Sequence, residues 1–276
     1  MNYIDNFKTY LVSIKGYSQH TAAAYERDLR QFARYTHLRN AEARWSTISM
    51  QDVDAWIVNN SNNGRKPSTL CRQISSIAAF YRYLKREGYA VENPVKYESR
   101  PKVAKRIPTT IDHNTMMQAW RKTDGELHTI MTILITTGVR IQECLDITCD
   151  DIRWEDRKII IHGKGGKDRF VYICDILLWE LQSVARDKKW KLFPSWTQER
   201  VRREMFWVSQ EFDNLKHFSP HTIRHTYATE LAKMGANVTT IATLMGHQSI
   251  KTTQKYIDMT QMAAQQVALM YNPINN

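Results

Sequence analysis

The residues of this 276-residue chain that could do chemistry together fall in five places in its second half. They are Thr137-Gly138-Val139-Arg140-Ile141-Gln142-Glu143, Gly163-Lys164-Gly165, Ser219-Pro220-His221-Thr222-Ile223-Arg224-His225, Leu244-Met245-Gly246-His247, and Tyr256. Singly, each has a plainer reading. His221 and His225 have the i, i+4 spacing of zinc ligands on a helix, but Thr222 stands where a metalloprotease needs its general-base glutamate. Zinc is disfavoured on that ground, and His225 reads as a helix-packing residue. Tyr256 alone would be a packing tyrosine on a late helix. Cys71, Cys144, Cys149 and Cys174 show no CxxC spacing and read as buried free thiols. Together, the cations, histidines and phenol suit the displacement of an alkoxide from a phosphodiester. That reaction needs a nucleophile, positive charge at the nonbridging oxygens and a proton for the leaving oxygen.

The separations add to the residue types. Arg140 to Lys164 is 24 residues, His221 to Arg224 is 3, Arg224 to His247 is 23 and His247 to Tyr256 is 9. In phrases and spacing the chain resembles the tyrosine recombinase (phage integrase) family, and its Xer-type members most of all. The resemblance runs over essentially the whole sequence, strongly from residue 110 to 258 and in outline before that. It implies that Arg140 and Arg224 clamp the scissile phosphate, a task suited to a guanidinium fork that stays charged. His221 and His247 would add hydrogen bonds, with His221 helping to take the tyrosine proton. Lys164, on a Gly-flanked hairpin, would protonate the departing 5′ oxygen. Tyr256 would be the nucleophile, storing the bond as a 3′ phosphotyrosine so that neither ATP, nor a cofactor, nor a metal is required. Glu143, one turn after Arg140, would orient the active-site cations.

These groups need elements to hold them. In the first hundred residues four helices are expected. Ile4, Phe7, Leu11 and Ile14 recur at helical spacing, and Ser18 caps a helix carrying Tyr25, Leu29 and Phe32. Ser49 caps a short helix with Val53, Trp56 and Ile57. Pro67 opens a longer one with a stripe of Leu70, Ile74, Ile77, Tyr81 and Leu84, closed by Gly88. Farther on, residues 110–120, 127–137 and 141–147 read as helices interrupted at Gly138. The period then changes: residues 158–162 and 169–173 are β-branched or aromatic runs around Gly163-Lys164-Gly165-Gly166-Lys167-Asp168, a hairpin signal, with a further strand expected near 151–154. Helices resume from Ile176. The expected fold is mainly α: an N-terminal four-helix, SAM-like core-binding domain and a mostly helical catalytic domain with a small three-stranded antiparallel sheet.

Between them, Pro94, Pro101 and Pro108 interrupt a stretch containing Lys96, Arg100, Lys102, Lys105 and Arg106 against a single acid, Glu98. This reads as an extended basic linker able to lie along a phosphate backbone, with Lys102, Lys105 and Arg106 as DNA-binding residues. The expected division is a core-binding domain over residues 1–95, a linker over 96–108 and a catalytic domain over 109–276. The catalytic part ends in a tail from Gln261 whose Val267, Leu269 and Met270 would pack on a neighbouring protomer. The chain has 39 Lys and Arg against 28 Asp and Glu, a net charge of +11, which suits a polyanionic partner. No apolar run approaches the roughly 20 residues that span a bilayer, and Met1 to Asp5 lacks the order of a secretory signal. A cytoplasmic protein without a membrane partner is expected. By resemblance its partners are double-stranded DNA with short inverted-repeat sites and copies of itself, as a tetramer on two DNA sites, with a second recombinase as a further candidate. Two other readings are a type IB topoisomerase, which typically has lysine at the position of His221, and a noncatalytic architectural DNA-binding protein.

Overall fold

A computed structural model describes residues 3–36, 42–89, 92–96, 100–103, 109–163, 166–186, 190–215, 218–246 and 253. The chain forms two compact units, residues 1–105 and 106–276. The first holds α1 (Tyr3–Ser13), α2 (Gln19–Tyr35), α3 (Met50–Asn62) and α4 (Pro67–Arg86). The capping chemistry sets these boundaries. Ser18 accepts from the Thr21 N–H, and Ser49 forms a reciprocal capping box with Asp52. Pro67 opens α4, and Gly88 (φ +87°) follows its end.

The core of this unit comes from the expected stripes: Phe7, Leu29, Phe32, Trp56, Ile77 and Leu84 are all buried. Ile14 departs from its stripe. Helix α1 ends at Ser13, and Ile14 lies in the following turn with 63% of its surface exposed. A 3₁₀ segment, Glu42–Thr47, carries Trp45 into the same core, where its backbone carbonyl accepts from the Tyr81 hydroxyl at 2.9 Å. No periodicity announces so short a segment. Between α2 and α4 the buried Asp28 accepts both ends of the Arg72 guanidinium and the Ser76 hydroxyl. A buried carboxylate is stable only with such partners.

The second unit is arranged around α6 (Gly125–Thr137). Its Ile130, Met131, Ile133 and Leu134 are fully buried, as expected of a helix apolar on most of its surface. Around it lie α5 (His113–Arg121), α7 (Ile141–Asp146), α8 (Asp175–Ala185) and α10 (Pro220–Lys233), with α9 (Gln198–Ser209) against α7 and α11 (Val238–Met245) against α10. The sheet is antiparallel in the order β1 (Ile152–Arg153), β2 (Lys158–Ile161), β3 (Arg169–Tyr172). Its register places Ile159 opposite Val171 and Ile161 opposite Arg169. Ile159, Ile161 and Val171 face the core, while Phe170 and Tyr172 face outward.

Among the described residues the fold is mainly α with one small antiparallel sheet, as the sequence pattern requires. The helices after Ile176 are broken by an irregular stretch before α9, where Lys191 bridges to Thr148. The thiols also differ from expectation. Only Cys144 is fully buried, and burial pushes its thiol above the usual range; Cys174 is exposed, and Cys71 and Cys149 are intermediate. All four are free. Among the described residues, no helix is long and apolar enough to cross a membrane.

Candidate active site

Gly138 decides where the site begins. It ends α6 in the left-handed region, φ +62°, a conformation that L side chains rarely adopt. A Cβ there would also overlap the Tyr227 ring from α10. The reversal buries Val139 and leaves Arg140 as the residue preceding α7, with an exposed side chain. Three residues later Glu143 turns back: its carboxylate accepts the Arg140 backbone N–H at 2.8 Å and the Arg140 Nη1 at 2.8 Å.

Glu143 also receives a second guanidinium. Arg169, at the start of β3, donates from Nη2 at 2.7 Å and Nη1 at 3.1 Å, and both side chains are only 10% exposed. Burial alone would raise the Glu143 carboxyl. The hydrogen bonds from Arg169 and the Arg140 backbone, with the charge of Arg169, outweigh it and hold Glu143 at about 2.

A third guanidinium comes from α10. Ser219 caps this helix, accepting from the Thr222 N–H, and Pro220 fills its first turn. Arg224 is buried, donating from Nη1 to the Gly138 carbonyl at 2.6 Å and from Nη2 to the Met245 carbonyl. His221, one turn earlier on the same helix, is exposed and stands edge-on to His225, with ring centroids 4.2 Å apart.

Three arginines from three separate sequence phrases thus converge on the end of α11. Arg169 donates from Nε to the Leu244 carbonyl at 3.0 Å, Arg224 to that of Met245, and Arg140 from Nη2 to that of Gly246 at 3.2 Å. The last carbonyls of a helix lack partners within it and carry the negative end of its dipole, so cations complete them. Gly246 allows the close approach, being left-handed at φ +61° with Arg169 where a side chain would project. Three guanidinium groups gather at this helix end and one carboxylate bonds two of them, leaving surplus positive charge beside the exposed Arg140. Such a cluster can hold a phosphate through paired N–H donors.

The structure therefore brings Arg140, Glu143 and Arg224 together, with His221 on the same helix face as Arg224. Lys164, His247 and Tyr256 lie outside the described residues, as do Lys105, Arg106 and the tail residues Val267, Leu269 and Met270. Lys102 is exposed. Sequence reasoning missed Arg169. Its signal was present: residues 169, 171 and 173 alternate inward as Arg, Val, Ile, and an arginine on an inward strand position requires a carboxylate partner. Among the described residues, no group of three or more His, Cys, Asp or Glu could hold a metal ion.

The pattern described as "Phage integrase family" matches residues 109–262, and "Phage integrase, N-terminal SAM-like domain" matches residues 4–88. A tyrosine recombinase XerC of Listeria innocua serovar 6a is 30% identical over 97% of this chain and 96% of its own length. A tyrosine recombinase XerD of Oceanobacillus iheyensis is 28% identical over 98% of each. Among solved structures, the XerH recombinase in its post-cleavage complex with a palindromic difH substrate has the same fold, with a TM-score of 0.75 at 17% identity over 91% of this chain and 80% of that one. So does a lambda integrase dimer bound to a COC′ core site, at 0.70 and 18% identity over 90% and 94%. With the family pattern over more than half its length and relatives of one kind along nearly all of it, the chain belongs to the phage integrase family, as a tyrosine recombinase of the Xer type.

Proposed function

We propose that this protein cuts and rejoins DNA at short inverted-repeat sites through a covalent 3′ phosphotyrosine at Tyr256. The observation that carries this reading is the convergence of Arg140 and Arg224, 84 residues apart in sequence, around one helix end with surplus positive charge. In the first step the Tyr256 oxygen bonds to phosphorus and the bond to the 5′ oxygen breaks. The tyrosine proton passes to His221, and the leaving oxygen takes a proton from Lys164. Arg140, Arg224 and His247 hold the nonbridging oxygens as charge develops on them. A 5′ hydroxyl from the other duplex then attacks the phosphotyrosine with the proton transfers reversed. The phosphodiester count is conserved, so no ATP is consumed.

Four protomers act on two duplexes and exchange strands pairwise through a Holliday junction. The segment ahead of the catalytic unit supplies a core-binding domain over residues 1–95. A basic linker over residues 96–108 tracks the backbone with Lys102, Lys105 and Arg106, and the protein acts in the cytoplasm. A second recombinase is a candidate partner in the same synapse. Tyr256→Phe tests the nucleophile on a suicide substrate nicked beside the cleavage site. The expected result is loss of the protein-linked DNA band on a denaturing gel with DNA affinity nearly unchanged, since one hydroxyl contributes little to phosphate attraction. A covalent band that persists in the Phe variant would place the nucleophile elsewhere.

A further inference from the structure

His162, the residue that leaves β2, has no task in the reaction as set out above, yet its surroundings are unusual for a side chain that is 62% exposed. Nδ1 lies 2.9 Å from an oxygen of Asp168, and Nε2 lies 2.9 Å from an oxygen of Asp151. Ionised carboxylates only accept, so both ring nitrogens must donate, and only the imidazolium form does this. A neutral ring would set a lone pair against one of the two oxygens.

The two carboxylates belong to different pieces of chain. Asp168 immediately precedes β3 on the returning arm of the hairpin. Asp151 ends the 3₁₀ turn before β1, and its second oxygen accepts the Thr148 N–H at 2.8 Å and the Thr148 hydroxyl at 2.7 Å. The regular β2–β3 pairing stops at Ile161 opposite Arg169. His162 is the next residue, so its side chain takes over where the backbone ladder ends. Just beyond, the arms approach closely. A Cβ on Gly163 would collide with the Lys167 carbonyl, and the Gly166 N–H donates to the Gly163 carbonyl at 3.3 Å. Lys164 follows His162 by two residues in the sequence.

We infer that His162 is a positioning residue for Lys164: by bridging Asp151 and Asp168 it fixes both arms of the hairpin that presents the proton donor to the leaving oxygen. The inference rests on the role proposed above for Lys164. It also makes proton donation depend on a second titration. Asp151, then Asp168, raise the pKa of His162 above the usual histidine value against a smaller opposing effect of burial. The bridge is therefore complete at low pH and opens as pH rises through that raised value. Asp151 stays ionised throughout: burial pushes it up, but the Thr148 and His162 hydrogen bonds bring it below the ordinary carboxylate range. Of the hairpin's own charged residues, Asp168 faces the ring, while Lys164 and Lys167 are its neighbours in sequence.

The test compares two suicide substrates that differ in one atom, the 5′ bridging oxygen or a sulfur in its place. Sulfur departs as a stable thiolate and needs no proton from a general acid. Cleavage by His162→Gln and by Asp168→Asn should fall on the order of tenfold or more with the oxygen substrate, as misplacement of a catalytic group does. With the sulfur substrate both should come within about threefold of the unaltered protein, like Lys164→Ala, whose missing acid sulfur makes unnecessary. The oxygen-to-sulfur rate ratio of the unaltered protein should also drop with rising pH above the ordinary histidine range, a change absent from His162→Gln. A general folding defect would slow both substrates alike. If sulfur rescues Lys164→Ala but not the other two, or if those two are not slowed at all, the positioning role is overturned and the lysine's role stands. If sulfur fails to rescue Lys164→Ala, the reading of Lys164 falls and takes the inference with it.

Discussion

At the scale of residues, the site is held by one carboxylate that serves two guanidinium groups. Removing it exposes what it balances: Glu143→Gln leaves Arg169 buried without its ionic partner, a change that typically costs about 3–5 kcal/mol. The sign with pH follows from the depressed carboxyl. Glu143 titrates at about 2 in the folded chain and in the usual carboxylate range when unfolded. Its contribution is therefore fully present above the unfolded value and is lost as pH falls through the folded one. Denaturant unfolding of the two proteins should show a difference of about 3 kcal/mol at pH 7 that shrinks steadily between roughly pH 4 and 2. A difference that does not change with pH would mean the ion pairs contribute nothing, and that the Gln variant suffers from shape alone. This residue scale was also the most legible in the sequence. Arg140, Glu143 and Arg224, which the structure brings together, were singled out by phrases and spacing that resemble a known family. Arg169, whose inward strand position was only a partial signal, and His162 were not. Their roles depend on the register of a hairpin and on carboxylates 26 and 11 residues away, which one-dimensional spacing does not encode.

At the scale of elements, the same logic separates what a pattern reveals from what packing decides. Helices with a periodic apolar face and a capping residue, such as α2 behind Ser18 and α3 behind Ser49, were readable because cap and stripe are local signals. The turn that carries Trp45 was not, since burial of a single aromatic has no period. Gly138 combines both kinds of information. As an interruption between two helical runs it was visible, but the Tyr227 ring against it comes from a helix 89 residues later. Two substitutions distinguish these contributions. Gly125→Ala places a side chain at φ +53° with nothing within 4 Å, so it should cost about 1 kcal/mol of backbone strain. Gly138→Ala meets similar strain at φ +62° and must also displace the ring. It should cost on the order of 2–4 kcal/mol, a backbone term plus an overpacking term. It should also slow cleavage more than Gly125→Ala does, because the Gly138 carbonyl is one of the acceptors that hold Arg224. Equal losses from the two variants would show that the ring yields freely and that packing against α10 does not set the position of Arg140.

For the whole molecule, the governing quantity is charge. A net of +11 is spread over the chain rather than confined to the site, and the arginines of the site are largely engaged with Glu143 and backbone carbonyls. Attraction to DNA must therefore come substantially from cations elsewhere, and residues 96–106, with five cations and one acid, are a dense basic stretch where the first unit ends and the second begins. Lys102 is exposed there, while Lys105 and Arg106 lie outside the described residues. Each cation that touches a phosphate releases condensed counterion, so log affinity falls with log salt by about 0.9 per contact on duplex DNA. Replacing Lys102, Lys105 and Arg106 with alanine should therefore flatten that slope by nearly 3 if all three touch the backbone, and by about 0.9 for each that does. The loss should be nearly the same on specific and unrelated DNA, since phosphate contacts position a protein without reading sequence. Salt titrations with both DNAs would measure it. An unchanged slope would detach the linker from the backbone and leave nonspecific affinity to the surfaces of the two units. A loss confined to specific DNA would mean that the linker reads base edges or groove shape instead.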